Sequence, residues 1–388
     1  MHPYNNNTPP PRIHWTEGER EHSAVWRSES GMPPPRKVII ANDQTPADTA
    51  YRLACEGTAL LWRGDFQNAR QLLQALARRA DQKSGKGKRA KNPKLPASPA
   101  EAFHLHRQAQ SQRARTLAML LIPFDADYSI PLRRAPDATL ACNEAYGRPG
   151  EPFVASMREL LGLIGAHEWR KNGVEIAALG DRIHPHYGVF SPIRGEYLTL
   201  VNEAPLPART ETAFDIGTGT GVLAALLARR GVARVVATDM DQRALSCARD
   251  NLQRLGLNEQ VEVVQADLFP AGRAQLIVCN PPWLPGRPSA SIESAIYDPD
   301  SRMLKGFLAG LAAHLDEEGE GWLILSDLAE HLGLRSRAEL LGWIDAAGLA
   351  VIERHDTRPT HARASDPDDP LHAARSAELT SLWRLAAK

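Results

Sequence analysis

Residues 211–231 read ETAFDIGTGTGVLAALLARRG. A short apolar run, Thr212-Ala213-Phe214, ends at Asp215 and passes into a turn containing Gly217, Gly219 and Gly221. A helical pattern follows from Val222 to Arg230 and stops at Gly231. This is strand, glycine turn, helix. Downstream, a second apolar run from Ala233 ends in Asp239, about twenty residues beyond the first glycine. A helix is expected over Gln242–Arg254, with Asp241 as its cap. Further strands are expected at Val261–Gln265, followed by Asp267-Leu268, and at Gln275–Cys279, followed by Asn280-Pro281-Pro282-Trp283. In a parallel α/β sheet the carboxyl ends of the strands share one edge, where ligands bind. Four strand ends carrying Asp, Asp, Asp and Asn therefore define a candidate site.

Two cofactor classes fit this pattern. Glycines let the backbone approach a ligand closely at a helix N-terminus, and an acid after the second strand can accept from ribose hydroxyls. A dinucleotide site has the spacing G-x-G-x-x-G. Here the spacing is G-x-G-x-G, with Asp215 two residues before the first glycine. A carboxylate there repels a pyrophosphate but suits an ammonium group. S-adenosylmethionine carries an ammonium, a ribose and an adenine, and no phosphate, so the charge favours it over NAD.

The segment resembles the class I S-adenosylmethionine-dependent methyltransferases, over roughly residues 150–388. Asn280-Pro281-Pro282-Trp283 is similar to the [N/D]-P-P-[Y/F/W] signature of enzymes that methylate planar nitrogens, among them the release-factor and ribosomal-protein glutamine methyltransferases and the adenine-N6 and guanine-N2 RNA methyltransferases. The resemblance implies an α/β fold with a Rossmann-like seven-stranded sheet and an antiparallel end pair. It also implies roles: Asp215 near the methionine ammonium, Gly217, Gly219 and Gly221 giving backbone access, Asp239 on the ribose, and Asp267 with the backbone of Leu268 reading the adenine amine. Phe190, Arg194 and Tyr197 are candidates for lining the pocket, although the family's P-R-x-x-T-E pattern is absent here.

Composition sets the bounds. A chain of 388 residues with 43% hydrophobic residues has room for two domains or one domain with a large extension. Cys55, Cys142, Cys247 and Cys279 show no C-x-x-C spacing, so free thiols in a reducing compartment are expected, with no metal site. No apolar run approaches transmembrane length and the first residues are unlike a signal peptide, which predicts a cytoplasmic protein without membrane contact. Zero net charge conceals an asymmetry: residues 1–150 hold 22 Lys/Arg against 14 Asp/Glu, and residues 151–388 hold 24 against 32. The basic part either steers toward RNA or docks on the acidic part.

Residues 1–44, rich in Pro, Asn and Ser, read as a disordered arm. Residues 45–150 read as a mainly helical N-terminal region: a helix opening at Thr45-Pro46 and running to about Trp62, a second from Asp65 through Ala80, and a third from the capping box Ser98-Pro99-Ala100-Glu101 to about Leu121. Between them, 82–96 is a basic linker. Residues 151–205 read as a helix over Glu151–Gly165 and a β-hairpin within Gly180–Val201, leading into the S-adenosylmethionine-binding domain at 206–388. Past Trp283, a mobile loop over Leu284–Ile296, a helix capped by Asp300, and strands at Trp322–Ser326, Leu349–Arg354 and Leu379–Leu385 complete that domain. Arg358–Ala377 is the expected place for substrate-specific insertion.

An amide or exocyclic amine nitrogen is a poor nucleophile because its lone pair is delocalised. Two acceptors for its N–H groups, the Asn280 side-chain oxygen and the Pro281 carbonyl, would free that pair, with Pro282 stiffening the turn and Trp283 offering a flat wall. The expected activity is methyl transfer to a protein glutamine in a translation factor or ribosomal protein. The alternatives are RNA, including ribosomal RNA, at adenine N6 or guanine N2, and a non-catalytic interaction module. The intact motif opposes the last. Sequence leaves the oligomeric state open.

Overall fold

The computed structural model describes residues 9–86, 96–192, 195–288, 291–360 and 366–388. The chain divides into two compact units: Met1–Pro96 with His104–Glu168, and Ala97–Phe103 with Trp169–Lys388.

The first unit is an α/β structure. Strands β1 (Arg12–Glu17) and β2 (Arg20–Trp26) form a hairpin, and β3 (Lys37–Ala41), α1 (Ala47–Cys55), β4 (Thr58–Trp62), α2 (Phe66–Lys86), α3 (Pro99–Leu117), β5 (Leu120–Phe124), α4 (Thr139–Tyr146), β6 (Phe153–Ser156) and α5 (Met157–Asn172) follow. One sheet has the order β1-β2-β6-β5-β4-β3. Two expectations are overturned. Described residues between 12 and 41 form three strands instead of a disordered arm, because Ile13 of β1 and Trp26 of β2 are buried in a core with Val38, Leu61, Leu121 and Val154. The region after 45 is not mainly helical. Thr58–Trp62 and Leu120–Phe124 are strands buried along their whole length. A strand covered on both faces is a continuous apolar run, which periodicity alone cannot separate from a buried helix turn. The Ser98 hydroxyl accepts from the Glu101 amide at 3.1 Å, as the capping box requires. Part of the basic linker, including Lys88, Arg89, Lys91 and Lys94, lies outside the described residues, as does Arg194.

The second unit holds a short hairpin of β7 (Val174–Ile176) and β8 (Asp181–Ile183), then α6 (Glu196–Glu203), β9 (Thr212–Ile216), α7 (Val222–Arg229), β10 (Arg234–Asp239), α8 (Gln242–Arg254), β11 (Val261–Gln265), β12 (Ala274–Cys279), α9 (Arg302–His314), β13 (Leu315–Ser326), α10 (Leu328–His331), α11 (Arg337–Ala346), β14 (Leu349–Thr357), α12 (His372–Ala377) and β15 (Thr380–Ala387). The hairpin expected within Gly180–Val201 thus closes earlier, and Glu196–Glu203 is helical. Seven strands form one sheet in the order β11-β10-β9-β12-β13-β15-β14, parallel except for β15, which runs antiparallel between β13 and β14. The expected seven-stranded sheet with its antiparallel end pair is present.

Helices cover both faces. On one, Leu223, Leu226 and Leu227 of α7 pack with Leu198 and Val201 of α6 and Ala248 and Leu252 of α8. On the other, Leu304, Phe307, Leu308 and Leu311 of α9 pack with Leu340 and Ile344 of α11. Each such side chain contributes about 1.5–3 kcal/mol on leaving water, so the strands between them are held rigidly. That rigidity is what positions the sheet edge.

Candidate active site

The register places the site. Ile216 of β9 pairs with Thr238 of β10 on one side and Cys279 of β12 on the other. Asp239 and Asn280, each one residue beyond those partners, therefore leave the sheet at the same level and flank Gly217.

Asp215 is wholly buried at the end of β9. Its Oδ2 accepts from the Thr218 hydroxyl at 2.6 Å and from the Ala224 amide in the first turn of α7 at 3.0 Å, while Oδ1 is buried with no hydrogen-bond partner. Burial raises its carboxyl to about 6; the bonds from Thr218 and Ala224 oppose the rise and the Asp239 charge adds to it. An orphaned buried carboxylate oxygen is a costly feature unless a ligand completes it.

The glycine turn needs its glycines for different reasons. All three have positive φ: 72° at Gly217, 56° at Gly219 and 81° at Gly221. A Cβ on Gly221 would lie 3.2 Å from the Ala248 backbone, so this glycine lets α7 and α8 approach. A Cβ on Gly219 would meet nothing within 4 Å, which leaves open space over the turn. The Gly219 amide donates to Asp239 Oδ2 at 3.1 Å, and the Asp241 amide donates to Asp239 Oδ1 at 2.9 Å. Each Asp239 oxygen keeps a lone pair for a hydroxyl. Burial raises the Asp239 carboxyl, and those two amides pull it back. Asp241 caps α8 as expected, accepting from the Arg243 amide at 2.9 Å.

Asp267 is exposed and pairs with Arg302 Nη2 at 2.6 Å. Leu268 adopts φ 74°, and its carbonyl accepts from the Thr238 hydroxyl at 2.6 Å, tying this loop to β10. Phe190 is 38% exposed beside the buried Val189.

Asn280 Oδ1 accepts from the Trp283 indole N–H at 2.9 Å. Trp283 packs against the apolar clusters of both sheet faces. Tyr197 of α6 is buried near Asp215, and burial, then the Asp215 charge, pushes its pKa up. Sequence reasoning saw Trp283 only as a wall, and Tyr197 only as a pocket lining.

Beyond Trp283 the loop is pinned at its base. Leu284 N donates to the Ile296 carbonyl at 3.1 Å, and Asp298 N donates to the Leu284 carbonyl at 2.9 Å. Asp298, not Asp300, supplies the start of α9: its carboxylate accepts from the amides of Met303 and Leu304, each at 3.1 Å. Asp300 and Ser301 sit instead at φ 55° and 54°, a strained pair next to the site. Met303 then reaches the turn, since a Cβ on Gly217 would lie 2.4 Å from its Cε.

The sheet order is that of the Rossmann-like methyltransferase fold. The residues present fit S-adenosylmethionine: Asp215 Oδ1 is a buried acceptor awaiting an ammonium, Asp239 has acceptor capacity for ribose hydroxyls, and the space over Gly219 is open.

Residues 181–331 match the family model of the methyltransferase small domain. The release factor glutamine methyltransferase of Cereibacter sphaeroides is 32% identical over 169 residues, which cover 39% of this chain and 56% of that protein. The ribosomal protein L11 methyltransferase of Pelotomaculum thermopropionicum is 48% identical over 147 residues, 37% of this chain and 40% of that protein. A putative protein N5-glutamine methyltransferase of Methanocaldococcus jannaschii is 26% identical over 178 residues, 44% of this chain and 87% of that protein. Among solved structures, a methyltransferase from Pyrococcus furiosus is 19% identical, with a TM-score of 0.39, covering 60% of this chain and 99% of that one. The chain spans about half the length of the first two relatives. Residues 181–331 are thus similar to class I S-adenosylmethionine-dependent methyltransferase domains. Among the described residues, no helix is long and apolar enough to cross a membrane.

Proposed function

We propose that the chain transfers a methyl group from S-adenosylmethionine to a planar nitrogen, and that its substrate is a glutamine side-chain amide of a protein in the translation machinery. The observation that carries this reading is the neutral acceptor Asn280 leaving β12 at the level of Asp239, beside the orphaned Asp215. When bound, the cofactor supplies an electrophilic methyl on a sulfonium, so alignment is most of what the chain must provide. Asp215 would hold the ammonium, Gly217, Gly219 and Gly221 would admit the ligand to the backbone, and Asp239 would hold the ribose. Asp267 and the Leu268 backbone would read the adenine, and Phe190 would close over it. Asn280 Oδ1 and the Pro281 carbonyl accept from the substrate N–H groups, Pro282 keeps the turn stiff, and Trp283 provides the flat surface. The substrate proton then leaves to solvent.

The names of the matched relatives support a protein substrate. The basic balance of residues 1–150 supports a second reading, RNA methylation at adenine N6 or guanine N2. Both place the protein in the cytoplasm. Incubation with labelled S-adenosylmethionine and cell extract, followed by separation of protein from RNA, distinguishes them. Label in protein, at glutamine, is expected; label confined to RNase-sensitive material overturns the glutamine assignment. Asn280→Ala should lower turnover by about a hundredfold or more while S-adenosylhomocysteine still binds. Unchanged turnover removes Asn280 from the acceptor role.

A further inference from the structure

Residues 184–190, which carry Phe190, form neither helix nor strand. A backbone without a ladder of its own takes its place from its neighbours, and here the neighbour is α8. Asn251 of α8 is 1% exposed, and its amide is engaged on both sides. Oδ1 accepts from the His184 N–H at 2.7 Å, while Nδ2 donates to the Thr220 carbonyl at 3.0 Å and to the His184 carbonyl at 3.3 Å. One turn earlier, Cys247 Sγ accepts from the His186 N–H at 3.3 Å, and His186 Nε2 lies 2.9 Å from Asp250 Oδ2. One turn earlier again, the Arg243 guanidinium lies 5.7 Å from the Tyr187 ring centroid, and a Cβ on Gly188 would lie 3.2 Å from Arg243 Nη1. Residues spaced by four share one face of a helix. The segment therefore descends that face toward the end of α8 at which Asp239 and Asp241 stand. It closes there in a turn, with the Val189 N–H donating to the His186 carbonyl at 3.1 Å, and Phe190 follows.

We infer that the face of α8 carrying Arg243, Cys247 and Asn251 sets the place of Phe190, and that Asn251 is a positioning residue for cofactor binding because it ties this segment to the glycine turn. This rests on the cofactor reading above. Thr220 lies between Gly219 and Gly221, and the Ala224 N–H four residues on is turned to Asp215. The Thr220 carbonyl takes the Asn251 amide, so one side chain holds both the covering segment and the turn beneath the ligand. Asparagine offers two donors and an acceptor, which is what two carbonyls and one N–H require. A carboxylate in its place would face both carbonyls. Sequence distance hides the arrangement, since His184, Thr220 and Asn251 stand on three separate elements.

Asn251→Ala leaves the His184 N–H and the Thr220 carbonyl unpaired and should weaken S-adenosylhomocysteine about tenfold by calorimetry. If that loss arises through Phe190, it should shrink to about twofold or less in a Phe190→Ala background, because two residues serving one interaction are not additive. An equal loss in both backgrounds overturns the inference, as does wild-type affinity in Asn251→Ala. Arg243→Ala leaves the Asn251 bonds and the backbone cap of α8 in place, so it decides the question should Asn251→Ala not fold. It should weaken the ligand about threefold, and only where Phe190 is present; a loss indifferent to Phe190 overturns the inference. Hydrogen exchange without ligand supplies a separate measurement. In Asn251→Ala the His184 and His186 amides should exchange about tenfold faster or more, while those of β10 and β12 keep their wild-type rates. Unchanged exchange at 184 and 186, or an equal rise across the sheet, overturns the positioning role. If the wild type binds no S-adenosylhomocysteine, the cofactor reading fails, and the exchange rates still decide whether Asn251 holds the segment.

Discussion

The proposed pairing of Asp215 with the cofactor's ammonium makes cofactor binding depend on pH in a calculable way. Its carboxyl is raised to about 6 by burial in the free protein, and its unpartnered Oδ1 awaits a cation. Only the ionised form attracts an ammonium, so binding must first remove the proton. Below pH 6 each further unit costs about 1.4 kcal/mol, or tenfold in Kd. Between about pH 7 and about pH 5 the affinity for S-adenosylhomocysteine should fall roughly tenfold, while the ligand's own amine stays protonated. Stability of the free protein runs the other way. A folded pKa above the unfolded value near 4 means that the fold holds the proton more tightly. The contribution is complete at low pH and is lost as pH rises through 6, by about 3 kcal/mol. Isothermal calorimetry across this range, with Asp215→Asn as control, tests both halves. The variant should bind weakly with little pH dependence and melt higher than wild type at neutral pH. A residual shallow slope in the variant belongs to Asp239, whose carboxyl is also raised by burial. A flat wild-type profile, or an Asp215→Asn profile with the full slope, would refute the ion-pair assignment.

Other substitutions separate folding from binding. Gly221→Ala should destabilise the domain by about 1–3 kcal/mol in urea unfolding, because its Cβ meets the Ala248 backbone at a positive φ. Gly219→Ala faces open space, so it should cost about 1 kcal/mol of stability but weaken S-adenosylhomocysteine about tenfold by calorimetry. Asp298→Ala removes two bonds to the first turn of α9 and should cost about 1–2 kcal/mol, read as a lower urea midpoint. Asp267→Ala breaks only a surface pair with Arg302, so stability should change by less than about 1 kcal/mol while cofactor affinity falls severalfold.

Much of the second unit was legible along the chain. Asp215, the glycines, Asp239 and Asn280 each stand at a strand end within a strand–turn–helix pattern, and such local grammar survives any tertiary context. Asp241 capped its helix for the same reason. The first unit was misread because its strands pair across great separations: Val25 and Trp26 of β2 meet Phe153 and Val154 of β6. Averaged over 1–44, the Pro- and Asn-rich composition hid the alternation in β1. Near the site, Arg302 and Met303 reach Asp267 and Gly217 from α9, and no spacing in the sequence encodes those meetings.

By itself, then, the order of residues determined which groups could do chemistry and that β9, β10 and β12 would deliver them to one edge, since short-range periodicity and turn stereochemistry govern both. Which oxygen of Asp215 lacks a partner, which residue starts α9, and which way the Asn280 amide faces were decided only by the folded geometry, because they depend on where the donor groups of Thr218 and Ala224, of Met303 and Leu304, and of Trp283 come to lie.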